Sequence, residues 1–181
     1  MTTFVIDCER QAVYADSCRT TVKLAQHDKT IVGHLLTTSP HWADFRVIRF
    51  KTSKIRQKEN VVIVGAGDSE LISRFSSTYG SEMPCGIKSE EDATIYVVEK
   101  RDVGLVVDKY TVAEKRPKWY LKKKQVWCIE STVLTKGFIT GGSGVEFAQG
   151  ALEAGCTPTE AIKVASRLCP YTNSEVDEVR L

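Results

Sequence analysis

The sequence predicts an α+β protein in which helices sit apart from runs of strands. Three observations predict it. The chain opens on two short apolar strands. A β-branched run and a helix follow, then several more strands. Near the C-terminus two helices come together before a last strand. That order argues for separate helical and sheet layers rather than a repeated βαβ unit.

The elements follow in order. Thr3 to Cys8 and Ala12 to Ala15 read as a hairpin with Glu9-Arg10-Gln11 between them. Val61-Val62-Ile63-Val64 is a buried-strand signal, followed by Gly65-Ala66-Gly67. Asp68 is an N-cap for a helix over Ser69 to Tyr79, with Leu71, Ile72 and Phe75 on one face. Gly80 stands where a helix C-terminus wants glycine. Ser81 to Glu91 reads as loop. Ala93 to Val98 and Val103 to Val107 form a second hairpin around Glu99-Lys100-Arg101-Asp102. Val126 to Ile129 and Phe138 to Thr140 are further strands.

Gly141-Gly142-Ser143-Gly144 turns the chain into a helix over Val145 to Ala154, which Gly155 ends. Thr157-Pro158-Thr159-Glu160 is a capping box with proline at the first helical position. The helix it opens turns Ala161, Ile162, Ala165 and Leu168 inward. Val176 to Leu181 alternates as a closing strand.

Length and composition fit one domain over residues 1–181, with no repeat or linker. The 181 residues are 42% hydrophobic and 27% charged, with a formal charge of +2. That charge does not by itself call for a polyanionic partner. The six cysteines form no CxxC pair and no zinc or disulfide spacing. They suggest a reducing, cytoplasmic setting. No apolar run approaches the roughly 18–20 residues of a membrane span. Asp7, Glu9 and Arg10 interrupt any leader-like core, so the opening residues are expected in the mature fold.

Three stretches resemble the proteasome-β/HslV branch of the N-terminal-nucleophile (Ntn) hydrolases. They are most similar to the small proteasome-like proteins encoded by tailed bacteriophages. The first runs from Met1-Thr2-Thr3-Phe4-Val5 to Val13-Tyr14-Ala15-Asp16-Ser17. The second is Ser53-Lys54-Ile55 with Val61 to Asp68 after it. The third is Gly141-Gly142-Ser143-Gly144, through Phe147-Ala148-Gln149-Gly150-Ala151-Leu152, to Pro170-Tyr171-Thr172-Asn173. The resemblance implies a four-layer αββα sandwich and hydrolysis of peptide bonds in a homo-oligomeric ring. Its substrates would be peptides or unfolded protein, and HslV-like rings pair with an ATP-driven unfoldase.

The chemistry is specific. A threonine hydroxyl needs a base to become a nucleophile. An N-terminal threonine supplies its own α-amine, whose pKa of roughly 7.7–8.0 suits that task near neutrality. Removal of Met1 would expose Thr2 in this way; with Met1 retained, Thr2 carries an amide and the scheme stops. By resemblance, Lys54 lowers the cost of an alkoxide on Thr2, and Asp16 holds Lys54 in place. Gly65 or Gly67 presents a backbone N–H to the oxyanion. Ser143 hydrogen-bonds the Thr2 amine. The resemblance requires no cofactor. It does imply that carbonyls of Ser166, Cys169 and Thr172 can hold a structural Na+ or Mg2+ ion. Here Cys169 follows HslV, whereas proteasome β subunits carry Asp.

Other readings stay beside this one. A non-catalytic member of the same fold, serving in assembly, needs no loss of Met1. The Gly141–Gly144 loop lacks the remaining residues of a P-loop or dinucleotide fingerprint. His27, His34 and His41 recur at sevens, but Gly33, Thr37 and Pro40 argue against the single helix that would align them as metal ligands. The basic, aromatic stretch Lys115 to Lys124 reads as a solvated hairpin, with single-stranded nucleic acid as the alternative. Residues from about 23 to 50 are an extra segment relative to HslV, expected as an added hairpin near the site or at a subunit contact.

Overall fold

The structure, a computed structural model, describes residues 2–24, 45–51, 53–81, 87, 92–115 and 124–181. It is α+β, with helices packed against antiparallel sheets. One sheet has the order β10 (Phe138–Gly142), β1 (Thr3–Asp7), β2 (Ala12–Asp16), β11 (Val176–Arg180), and a second the order β5 (Ile55–Lys58), β6 (Val61–Gly67), β7 (Ala93–Arg101), β8 (Gly104–Lys115), β9 (Lys124–Leu134).

The first sheet joins β1 (Thr3–Asp7) to β2 (Ala12–Asp16), β10 (Phe138–Gly142) and β11 (Val176–Arg180). Every residue of β1 and β2 is buried, so both faces of this sheet are covered. Alternation divides them. Phe4, Ile6, Val13 and Ala15 face the second sheet, packing with Val62, Val64, Val98, Leu105 and Val107. Val5, Ala12 and Tyr14 face α2 (Val145–Glu153) and α3 (Pro158–Leu168). Phe4 spans the sheet interface, its ring 5.0 Å from that of Tyr96 in an edge-to-face pair.

The second sheet contains β5 (Ile55–Lys58), β6 (Val61–Gly67), β7 (Ala93–Arg101), β8 (Gly104–Lys115) and β9 (Lys124–Leu134). Ile63, Ile95, Val97 and Tyr110 on its other face pack on α1 (Ser69–Thr78) through Leu71 and Phe75. The caps read from sequence are present. The Asp68 side chain accepts from the N–H groups of Glu70 and Leu71, each at 2.8 Å. Thr157 and Glu160 form the reciprocal capping box. No helix among the described residues is long and apolar enough to cross a membrane.

Several expectations shift. Val103 lies in a two-residue turn, since the register closes at Arg101 opposite Gly104. Val103 is therefore 64% exposed rather than in a strand. Leu168 is 57% exposed, because the buried stripe of α3 runs Ala161-Ala165-Cys169 at fourfold spacing and leaves Leu168 outside it. Strand β6 continues through Gly65 and Gly67, and β9 is far longer than its apolar centre suggests. Strand β5 carries the exposed Arg56, Gln57 and Lys58 and gives no apolar signal.

At the two ends of the extra segment, β3 (Cys18–Leu24), most of which precedes it, and β4 (Phe45–Lys51) pair as a two-stranded antiparallel ribbon. His27, His34, His41 and Trp42 lie outside the described residues, as do most of the Ser81–Glu91 loop and residues 116–123 of the basic stretch.

Candidate functional site

The ends of three sheet segments converge at the start of β1. Asp16 closes β2, Lys54 immediately precedes β5, and the Gly142-Ser143 turn follows β10. Antiparallel pairing makes this convergence. Thr3 pairs with Gly142 and Phe4 with Ala15, so the tip of β1 lies between β10 and the end of β2.

Asp16 is fully buried, yet its carboxylate is surrounded by donors. Lys54 Nζ donates to both oxygens at 3.0 Å. The Thr3 N–H donates to Oδ1 at 2.7 Å and the Asn173 N–H to Oδ2 at 3.2 Å. An ionised carboxylate removed from water needs such compensation. The Lys54 side chain is 10% exposed, so the ion pair is largely desolvated.

Thr2 is itself buried, and its carbonyl accepts the Ser143 N–H at 2.8 Å. The approach is close enough to need glycine beside it. Gly142 has φ +95°, and a Cβ there would lie 1.6 Å from the Thr2 carbonyl oxygen. Thr2 is thus fixed through its carbonyl on one side and through the following peptide N–H on the other.

Gly65 and Gly67 lie beyond the end of the β5 ladder, whose last pair is Ile55 with Val64. Extending that register by one residue sets Lys54 beside Gly65. The β5 side of Gly65–Gly67 is therefore unpaired by β5. Because the two glycines are two residues apart, their N–H groups point to the same edge of the strand.

Ser143 meets Thr2 through its backbone N–H. Burial pushes the Cys169 thiol up, but the polar groups of Thr172, Tyr171 and Ser143 around it more than offset that, and its pKa is lowered. The segment expected to hold a cation forms a turn in which the Thr172 N–H donates to the Cys169 carbonyl at 3.2 Å. Ser166 Oγ donates to the Lys163 carbonyl. Pro170 has no N–H, so it cannot donate to the Ser166 carbonyl one helical turn earlier.

Sequence reading missed Thr3, whose hydroxyl is buried against Thr172 and Gly144, and the Asn173 amide on Asp16. A threonine in a β-branched strand looks like core, and a backbone N–H leaves no side-chain signal. Their only trace was that Thr3 stands in the first matching stretch and Asn173 ends the third.

The fold is α+β and proteasome-like. Among solved structures, Thiobacillus denitrificans BPH in complex with epoxomicin superposes with a TM-score of 0.54. The match spans 98% of this chain and 96% of that chain at 11% identity, which speaks for the fold alone. No family model and no curated protein matches the chain.

Proposed function

We propose that the protein is a threonine-type peptidase of the Ntn class, with Thr2 as nucleophile once Met1 is removed. One observation carries the reading. The Asp16 carboxylate binds both the Lys54 ammonium and the Thr3 N–H, and so ties that cation to the residue next to Thr2. The neighbour's complex with epoxomicin agrees with a peptide-like substrate. The three apolar clusters support the finer four-layer αββα arrangement.

In this reading the free Thr2 amine takes the hydroxyl proton as Oγ1 attacks the scissile carbonyl. Lys54 stabilises the developing alkoxide, and Asp16 keeps the ammonium charged and in place. The Gly65 or Gly67 N–H receives the oxyanion. The C–N bond breaks, the leaving amine takes the proton, and an ester remains on Thr2. Water then attacks the ester, giving up a proton to the amine, and the acid departs with Thr2 restored. Ser143 holds the Thr2 backbone and, in the amine form, reaches the α-nitrogen.

The proposal extends to a homo-oligomeric ring that restricts access to peptides or unfolded segments, served by an ATP-driven unfoldase. It also includes a Na+ or Mg2+ ion at the carbonyls of Ser166, Cys169 and Thr172. The carbonyl that Pro170 leaves without its helical donor supports that placement. Neither feature is needed for the chemical steps.

Two measurements test the core of the proposal. Intact mass reports whether Met1 is lost. Met-free protein should then form a covalent adduct with epoxomicin that disappears in Thr2→Ala. Met-free, folded protein that stays unlabelled would instead favour a non-catalytic assembly role.

A further inference from the structure

We infer that Thr3 and Thr172 form a hydroxyl latch that positions the Thr2 backbone, making both of them positioning residues for the proposed nucleophile. This rests on the reading of Thr2 above for its catalytic meaning, though not for its structural content.

The latch is a connected set of buried groups. Thr3 is fully buried and Thr172 is 4% exposed, far apart in sequence but with their hydroxyl oxygens 2.6 Å from each other. The Gly144 N–H donates to Thr3 Oγ1 at 2.9 Å. Gly144 is the N-cap of α2 and has no side chain with which to cap it. The hydroxyl of a different strand therefore stands at that helix start. The space is filled: a Cβ on Gly144 would lie 2.6 Å from Thr3 Oγ1 and 2.8 Å from Thr172 Oγ1.

The Gly144 N–H donates to Thr3 Oγ1, and one of the two threonine hydroxyls donates to the other.

Thr3 is joined to the site by its backbone as well. Its N–H is on Asp16, and the carbonyl before it, that of Thr2, accepts from Ser143. Ser143 and Gly144 are consecutive, so two adjacent amides grip two adjacent residues of the N-terminal strand. Releasing the Thr3 hydroxyl should loosen both grips, because the turn that carries one amide carries the other.

The test is amide hydrogen exchange by NMR on Thr3→Val, Thr3→Ser and Thr172→Val, with epoxomicin labelling read in parallel. Valine keeps the shape and loses the hydroxyl; serine keeps the hydroxyl. In Thr3→Val, exchange should accelerate at Gly144 and at Ser143 alike, although Ser143 does not touch the substituted group. Thr3→Ser should retain protection at both. Saturated labelling should fall about 10- to 100-fold in Thr3→Val and recover to within about threefold in Thr3→Ser, as for a reacting group moved by a fraction of an ångström to an ångström.

Acceleration at Gly144 alone would reduce Thr3 to a helix cap and overturn the latch. So would a Thr3→Ser protein that behaves as Thr3→Val, or labelling of Thr3→Val at the wild-type rate. Should Thr3→Val not fold, Thr172→Val reads the same two amides from the other end. If neither valine variant folds, the pair is a requirement of the fold and the positioning role is refuted. Wild-type, Met-free protein that is never labelled while both amides respond as expected would remove the peptidase reading and leave the latch standing.

Discussion

The tip of β1 and the outer ladder of β8 with β9 use polar residues in opposite ways. At the tip, the Asp16 carboxylate is buried and held by Lys54 and two backbone amides. Along the ladder, Lys109 meets Glu130 at 3.2 Å with the lysine side chain 36% and the glutamate 69% exposed. Apolar residues are reversed as well: Phe4 and Ile6 are fully buried, while Ile129 and Val133 are each more than half exposed. Both regions are antiparallel sheet. The difference lies in desolvation, which makes a polar group at the tip costly to disturb and one on the ladder nearly free to change.

The largest break in that contrast should come from Asp16→Ala. It strands the Lys54 ammonium in a largely buried place and leaves the Thr3 and Asn173 N–H groups without their acceptor. Loss of one partner from a buried ion pair costs about 3–5 kcal/mol. Urea unfolding should show that loss as a large fall in midpoint. Asp16→Asn keeps the volume and separates charge from shape: it should remain more stable than the alanine variant while still losing epoxomicin labelling.

Gly142→Ala comes next. The residue has φ +95°, and an added Cβ meets the Thr2 carbonyl oxygen. Holding alanine in that region costs about 1–3 kcal/mol before the collision is counted. Relief requires the Thr2 carbonyl to leave the Ser143 N–H. Stability and labelling should therefore fall together. Gly137→Ala supplies the comparison, since Gly137 also has a positive φ but an added Cβ meets nothing within 4 Å. It should cost the backbone strain alone and leave labelling intact.

The sequence made the framework of this contrast visible and concealed its mechanism. Short continuous apolar runs pointed to β1, β2 and β6, and side-chain caps to the starts of α1 and α3, because these signals are local. Strand β5 was hidden because three of its four residues face solvent and only pairing with β6 makes it a strand. Asp16 and Lys54 were singled out by resemblance; by themselves they read as a turn aspartate and a surface lysine. Their 3.0 Å contact depends on sheet pairing across 38 residues of chain, which no local pattern encodes. Thr3, Asn173 and Gly144 were harder still, since they act through backbone amides or through a hydroxyl on an apolar strand.

The two regions should also respond to pH with opposite sign. Cys169, at the tip, has its thiol pKa lowered in the folded protein. The unfolded chain then binds more protons between that lowered value and the ordinary thiol pKa of about 8.5. Its contribution to stability is fully present above the unfolded value and is lost as pH falls through the folded one. Cys169→Ser should flatten the rise in stability through the mildly alkaline range. Tyr110, beneath α1, is pushed up to about 12, chiefly by burial and then by Tyr79 and Asp108. Here the folded protein keeps its proton after the unfolded chain has lost it. Stability falls as pH rises from about 10 towards the folded value, by something on the order of 2 kcal/mol. Tyr110→Phe should remove that decline in alkaline urea titrations, and Cys169→Ser should leave it unchanged.

The smallest effect is expected on the β7–β8 hairpin. Arg101 donates to Glu99 through both Nε and Nη2, at 2.9 and 2.6 Å, which is close geometry for an ion pair. The Arg101 side chain is nevertheless 55% exposed, and water and salt screen what the short distances offer. Holding two long side chains together also costs rotamer entropy. Arg101→Ala should thus leave the urea midpoint where it is, at low salt and high salt alike. A midpoint that dropped at low salt and recovered at high salt would show that the pair stabilises the hairpin after all. Distance would then rank with desolvation in separating the ladder from the tip of β1.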